Sequence, residues 1–90
     1  MTTETVKKHI DALHTLFPCC FVAPSEEFDG RQGGLWTDFG ENVNEWGERI
    51  IDYWNVNKTC DELQEYLDAN KLFIEPHDSA TYMIWSSDGS

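Results

Sequence analysis

Ninety residues with 17 acids against 6 bases give a formal charge of −11, alongside 40% hydrophobic and 13% aromatic content. Such a chain makes one domain, 1–90, that buries roughly 60–65% of its unfolded surface, and its apolar content rules out a disordered acidic tail. Phosphate repulsion argues against direct contact with nucleic acid or anionic membranes and favours basic protein partners reached by electrostatic steering.

Residues 4–17 read as a helix, because Val6, Ile10, Leu13 and Phe17 form one apolar stripe. Thr3 is placed to cap it, and Pro18 ends it. This helix is expected to cover the sheet from behind. "CCFVA" (19–23) is a β-favouring run closed by Pro24, and "PSEEFDGRQGG" is a loop by composition. Within that loop Phe28 is the one large apolar group, better suited to an anchor than to an exposed contact.

"LWTDF" (35–39) alternates, with Leu35, Thr37 and Phe39 on one face and Trp36 and Asp38 on the other. The stretch 41–54 fits two structures. As a helix, Asn42 caps it, Glu45 stands at N3, and Val43, Trp46, Ile50 and Tyr53 form a stripe. As a hairpin return, "RIIDYW" (49–54) pairs back on 35–39. Gly47 inside a helix would cost about 1 kcal/mol relative to Ala, which favours the hairpin.

Residues 57–71 form a second helix, with Thr59 and Glu62 as a capping box, Leu63, Tyr66 and Leu67 as its apolar face, and Asn70 at its end. Strands near 72–76 and 80–85 around His77–Ser79 complete a hairpin, and "SSDGS" (86–90) frays. Single helices separating runs of strands predict an α+β fold. The expected form is a single small domain whose mainly antiparallel sheet of four to five strands is packed by two helices.

No catalytic or metal-binding signature stands out. His9 and His14 lie about 140° apart around a helix, no C-x2-C pair exists, and Cys19 and Cys20, read as strand residues, point to opposite faces. His77, Asp78 and Ser79 are neighbours in a tight turn, where they satisfy backbone donors and cannot form a triad. With no leader-like apolar run and no stretch near the roughly 20 residues of a membrane span, free thiols in a reducing cytoplasm are expected. The expectation is a protein that is not an enzyme and uses no cofactor.

The acids carry the pattern. Residues 1–24 are neutral, whereas 25–54 hold 8 acids against 2 bases and 55–90 hold 7 against 2. Asp61, Glu65 and Asp68 line one ridge of the second helix over roughly 10 Å, a span like three steps of a DNA strand. Glu41, Glu45, Glu48 and Asp52 form a second group, and if 35–39 paired with 49–54, Asp38 and Asp52 would share a face. An ordinary solvated surface is the competing reading. Four tryptophans among acids suit an interface core with a charged rim. Trp36 and Trp54 are the candidates for the solvent-facing side of the sheet.

"GGLWTDFG" (33–40), "IIDYW" (50–54) and "IEPHDSATYMIW" (74–85) together give an aromatic G-x-W-T strand, a D-Y-aromatic segment and a D-x-x-T hairpin. In this the chain resembles small acidic proteins encoded by phages and archaeal viruses, among them anti-CRISPR proteins and DNA-mimic inhibitors. The resemblance covers about a third of the chain. It implies an inhibitor without catalysis that occupies a basic host protein or nucleoprotein complex in the cytoplasm of the host cell. It designates no target and no contact residues. The alternative expectation is a homo-oligomer, such as a homodimer, that buries Trp36, Trp54 or the 80–85 edge strand in a self-interface.

Overall fold

A computed structural model describes residues 2–87 of the chain. Its elements are α1 (Thr3–Leu16), β1 (Val22–Pro24), α2 (Glu26–Asp29), β2 (Leu35–Thr37), β3 (Ile51–Asp52), β4 (Lys58–Thr59), α3 (Asp61–Ala69), β5 (Leu72–Pro76) and β6 (Tyr82–Ser86). Short 3-10 turns occupy Phe39–Glu41 and Tyr53–Asn55. The fold is α+β, with a four-stranded antiparallel sheet in the order β1-β2-β6-β5 and a separate two-stranded ribbon, β3-β4.

The apolar stripe builds α1 as its spacing requires. Val6, Leu13 and Phe17 are buried and Ile10 packs against the same core. The cap is Thr2, not Thr3: its hydroxyl oxygen accepts from the Thr5 N–H at 3.2 Å. In α3, Leu63 and Leu67 are buried and Asn70 ends the helix, its amide donating to the Tyr66 carbonyl at 2.9 Å. The expected capping box is absent. Thr59 belongs to β4 and its hydroxyl donates to Gln64 Oε1 at 2.6 Å, leaving Cys60 at the N-cap position.

His9, off the stripe, is also buried, and its Nδ1 hydrogen-bonds the Tyr66 hydroxyl, tying α1 to α3. Burial, and then the Lys8 charge, hold its pKa below the ordinary value. The folded protein therefore keeps His9 neutral, and the unfolded chain takes up a proton more readily below about pH 6.5. Stability is expected to be full above that pH and to fall as the medium is acidified through it. Urea midpoints between about pH 7.5 and 5.5 should show this decline, and His9→Gln should flatten it. An unchanged pH profile in the variant would rule this linkage out.

The sheet has two unlike faces. Leu35 and Thr37 of β2 stand opposite Ile84 and Tyr82 of β6, all buried beneath α1 and α3. The next register row, Ala23–Trp36–Met83–Glu75, lies on the other face. Here α2, expected as loop, supplies the cover. Phe28 packs on the Trp36 ring at 5.0 Å and edge-on to His77 at 4.7 Å, so it is an anchor. Phe21 meets Trp36 at 4.8 Å from the other side. Arg31 lies 4.8 Å over Trp85 and bonds Asp29 at 2.6 Å and Glu75 at 3.1 Å.

Both readings of 41–54 are corrected. Gly47 has φ +82, which no α-helix allows, and residues 49–54 do not return to 35–39. β2 is flanked on both sides, by β1 and β6, and β3 pairs with β4 instead. Asp38 and Asp52 consequently do not share a strand pair. The Asp38 carboxylate accepts from the Phe21 N–H at 2.8 Å, and Asp52 stands opposite Lys58. The strand 35–39 stops at Thr37, since Phe39 turns into the core through the 3-10 turn.

The strand expected over 19–23 starts only at Val22. Cys19 and Cys20 sit in the preceding turn with their sulfurs 3.9 Å apart, not on opposite faces. Cys19 is exposed, whereas Cys20 and Cys60 are buried. Burial, and then the Cys19 thiol, push the Cys20 thiol up to about 12. The hairpin 72–86 forms as expected, with Asp78 Oδ1 accepting from the Ala80 and Thr81 N–H groups at 2.8 and 2.7 Å. Of the expected frayed tail, Ser86 belongs to β6 and residues 88–90 lie outside the described residues. No helix among the described residues is long and apolar enough to cross a membrane.

Candidate functional site

Among the described residues, the segment 43–56 carries five of the eight large hydrophobic side chains that remain exposed: Val43, Trp46, Tyr53, Trp54 and Val56. It is nonetheless firmly rooted. Ile50 and Ile51 are fully buried, and the Cys60 N–H donates to the Ile50 carbonyl at 2.9 Å. Two adjacent buried residues are incompatible with a half-exposed strand. They fit a short ribbon driven root-first into the core.

Asn44 builds the first projection. It is buried, and its side-chain oxygen accepts from the Trp46 and Glu48 N–H groups at 2.9 and 3.0 Å. The Gly47 N–H donates to the Asn44 carbonyl at 3.1 Å, closing a tight turn. Gly47 serves its positive φ, and Trp46 is thrust outward, 74% exposed. The Asn44 amide also donates to Glu62 Oε1 at 3.4 Å, which sets this turn against the first turn of α3.

The second projection is the tip between β3 and β4. The Asp52 carboxylate accepts from the Trp54 N–H at 3.2 Å. From the sheet, the buried Tyr82 hydroxyl donates to Asn57 Oδ1 at 2.5 Å. Burial first, then Tyr53, Asp52 and Asp78, raise the Tyr82 pKa, so it remains a phenol donor. Trp54 is 78% exposed and Val56 92% exposed on this pedestal.

Val56 and Asn57 both have φ of 57. Asparagine tolerates that conformation, whereas a β-branched residue there is a steric outlier costing about 1–2 kcal/mol. Val56→Asn is therefore expected to stabilise the fold by about 1 kcal/mol, read as a higher urea midpoint. No gain would show that the tip does not hold this backbone.

The acids lie along the same segment and on α3. Asp61, Glu65 and Asp68 are all exposed on α3, away from its buried Leu63 and Leu67. Glu41, Glu45 and Glu48 are exposed and Asp52 is half-buried. Among the described residues, both ion pairs within 4.0 Å belong to Arg31, so none of these seven acids is paired. Glu48 and Asp52 line one shallow recess of about 220 Å³ together with Arg49, Asn55, Lys58, Thr59 and Cys60.

The structure thus brings Glu48 and Asp52 into one recess beside Cys60 at the start of α3, with Asp52 bonded to the Trp54 backbone N–H. Trp36 is not among them: it lies on the α2-covered face, half-buried between Phe21 and Phe28. Trp54 projects from the ribbon tip and not from the sheet. Trp46, which the helical alternative puts on an apolar stripe, is one of the two most exposed indoles. Its signal was Asn-Val-Asn, which occurs at 42–44 and again at 55–57 and marks turns at both places. A larger cleft, about 390 Å³, opens between the start of α1 and the β1–β2 connection, with Lys7 and Glu26 as its charged residues. It includes none of the sequence-predicted site residues.

No protein-family model matches this chain, and no curated protein or solved structure matches it either.

Proposed function

We propose that this protein is a non-catalytic acidic binding protein, an inhibitor of the phage type that occupies a basic nucleic-acid-binding surface of a host defence or nucleic-acid-handling complex. The observation that carries the reading is the display of two indoles, 74% and 78% exposed, on a segment rooted in the core by Ile50 and Ile51 and carrying Glu45, Glu48 and Asp52, none of them ion-paired among the described residues. An aromatic centre with a charged rim is how protein interfaces obtain affinity and orientation together. Holding the indoles in place beforehand lowers the ordering cost of association.

Like charges on the α3 ridge, with no ion pairs to offset them among the described residues, make the surface repel itself, which disfavours a homodimer through this region. A basic partner relieves that repulsion. The test is capture of a partner from host lysate at low salt, followed by affinity measurements at rising salt. Affinity is expected to fall steeply with salt, and the partner's nucleic acid should be displaced as this protein is added. Salt-insensitive binding, or a partner that holds nucleic acid and this protein together, would overturn the proposal.

A further inference from the structure

We infer that Trp46 and Trp54, with the carboxylates around them, are receptors for arginine, so that the partner's basic surface is recognised through guanidinium groups in preference to lysine ammonium groups. This rests on the acidic-binding reading above and names the chemistry that the surface selects.

The molecule contains one complete arginine receptor of its own. Arg31 lies 4.8 Å over the Trp85 ring, with the Asp29 carboxylate at 2.6 Å and that of Glu75 at 3.1 Å. Glu75 also accepts from the Trp85 indole N–H at 3.3 Å, so ring and carboxylate are oriented together. A planar guanidinium suits this arrangement because its face stacks on the indole while its edge donates to the acids. A lysine ammonium can form the ion pair but cannot stack.

The exposed segment repeats the components without the cation. Asp52 accepts from the backbone N–H of Trp54, and Glu45 and Glu48 flank Trp46 in sequence within the turn that Asn44 closes. Between residues 41 and 62 there are six acids and two bases, Arg49 and Lys58. Both bases line the recess with Glu48 and Asp52. Among the described residues, the cation–π contact is that of Arg31, and no cation lies over Trp46 or Trp54. Val56, beside Trp54, holds a strained left-handed backbone at 92% exposure, where packing within the fold returns nothing for it. Strain of this kind accumulates where a surface is shaped for a ligand. The charge commits the occupant to a basic protein surface, because a second copy would bring the same acids against each other.

The experiment titrates the full chain with deca-arginine and deca-lysine at about 50 mM salt, following indole fluorescence and heat. Deca-arginine is expected to bind about three- to tenfold more tightly, with a change in indole emission. Trp46→Ala/Trp54→Ala should remove that preference while retaining the affinity for deca-lysine. Both indoles are exposed, and far-UV circular dichroism checks that the double variant folds. Equal affinities, or a preference that survives in the double variant, would overturn the arginine assignment and leave the acidic-binding reading standing. Failure of both peptides to bind would overturn both. A dimer seen by light scattering and dissolved by Trp54→Ala would also overturn the assignment, since the occupant would then be a second copy.

Discussion

Gly40→Ala is expected to cost about 3 kcal/mol or more, a large share of the stability of a domain this size. A Cβ at Gly40 would stand 2.2 Å from the Ser79 carbonyl oxygen and 2.9 Å from Tyr82 Cε1. The first neighbour is backbone, so no rotamer change relieves the clash. Nor can the chain retreat easily, because the Gly40 N–H donates to the Ala80 carbonyl at 3.0 Å. Moving the Tyr82 ring would pull its hydroxyl off Asn57, so the damage should reach the ribbon tip. Urea unfolding measures the loss, and altered Trp54 emission in the native baseline would report the tip. Gly47→Ala provides the contrast. Nothing stands within 4 Å of its Cβ, and only its φ of +82 is strained, so about 1 kcal/mol is expected. A Gly40→Ala variant within 1 kcal/mol of the parent would show that the 39–41 turn does not pack on Ser79.

Reversing Glu65 and Asp68 to lysine is expected to weaken partner binding by about two orders of magnitude. Each reversal replaces an attraction with a repulsion, about 1–2 kcal/mol per residue near a wet interface after screening. Two together give about 3 kcal/mol, or roughly a hundredfold. The single reversal at Glu65 should not harm the fold. Glu65→Lys alone converts like-charge contacts with Asp61 at i−4 and Asp68 at i+3 into attractive ones, each worth about 0.2–0.5 kcal/mol. Stability should therefore rise slightly as affinity falls. Opposite signs in the two measurements identify the ridge as a binding surface. If Glu65→Lys and the double variant bind the captured partner as the parent does, the ridge is only solvated surface.

Trp36 and Trp54 show why aromatic content alone does not designate an interface. Strand alternation puts Trp36 on the face away from α1 and α3, and it does lie there. Its cover comes from Phe28, supplied by a segment whose composition reads as loop, and from Phe21, just ahead of β1. Whether a one-turn helix folds back over a sheet depends on its fit to the side chains beneath it, which local pattern does not record. The helical alternative for Trp46 fails for a related reason. Its spacing with Val43, Ile50 and Tyr53 matches a helical stripe, but Asn44 accepts two backbone N–H groups and makes a turn instead.

Periodicity and composition were enough for the two longer helices, the 72–86 hairpin, the α+β class and the acidity of the surface. Each of these rests on contacts between residues near in the chain or on composition, so periodicity and charge suffice. The partners of β2 were settled by long-range packing. Its neighbour β6 lies some 45 residues on, at Thr37–Tyr82, and no local signal weighs that pairing against a nearer hairpin. The fate of Ile50 and Ile51 was likewise decided by the core, which takes both and forces the residues on either side outward. That is why the acidic and aromatic segment between Glu41 and Val56 is exposed: its two isoleucines satisfy the core, and its tryptophans are left for water or a partner.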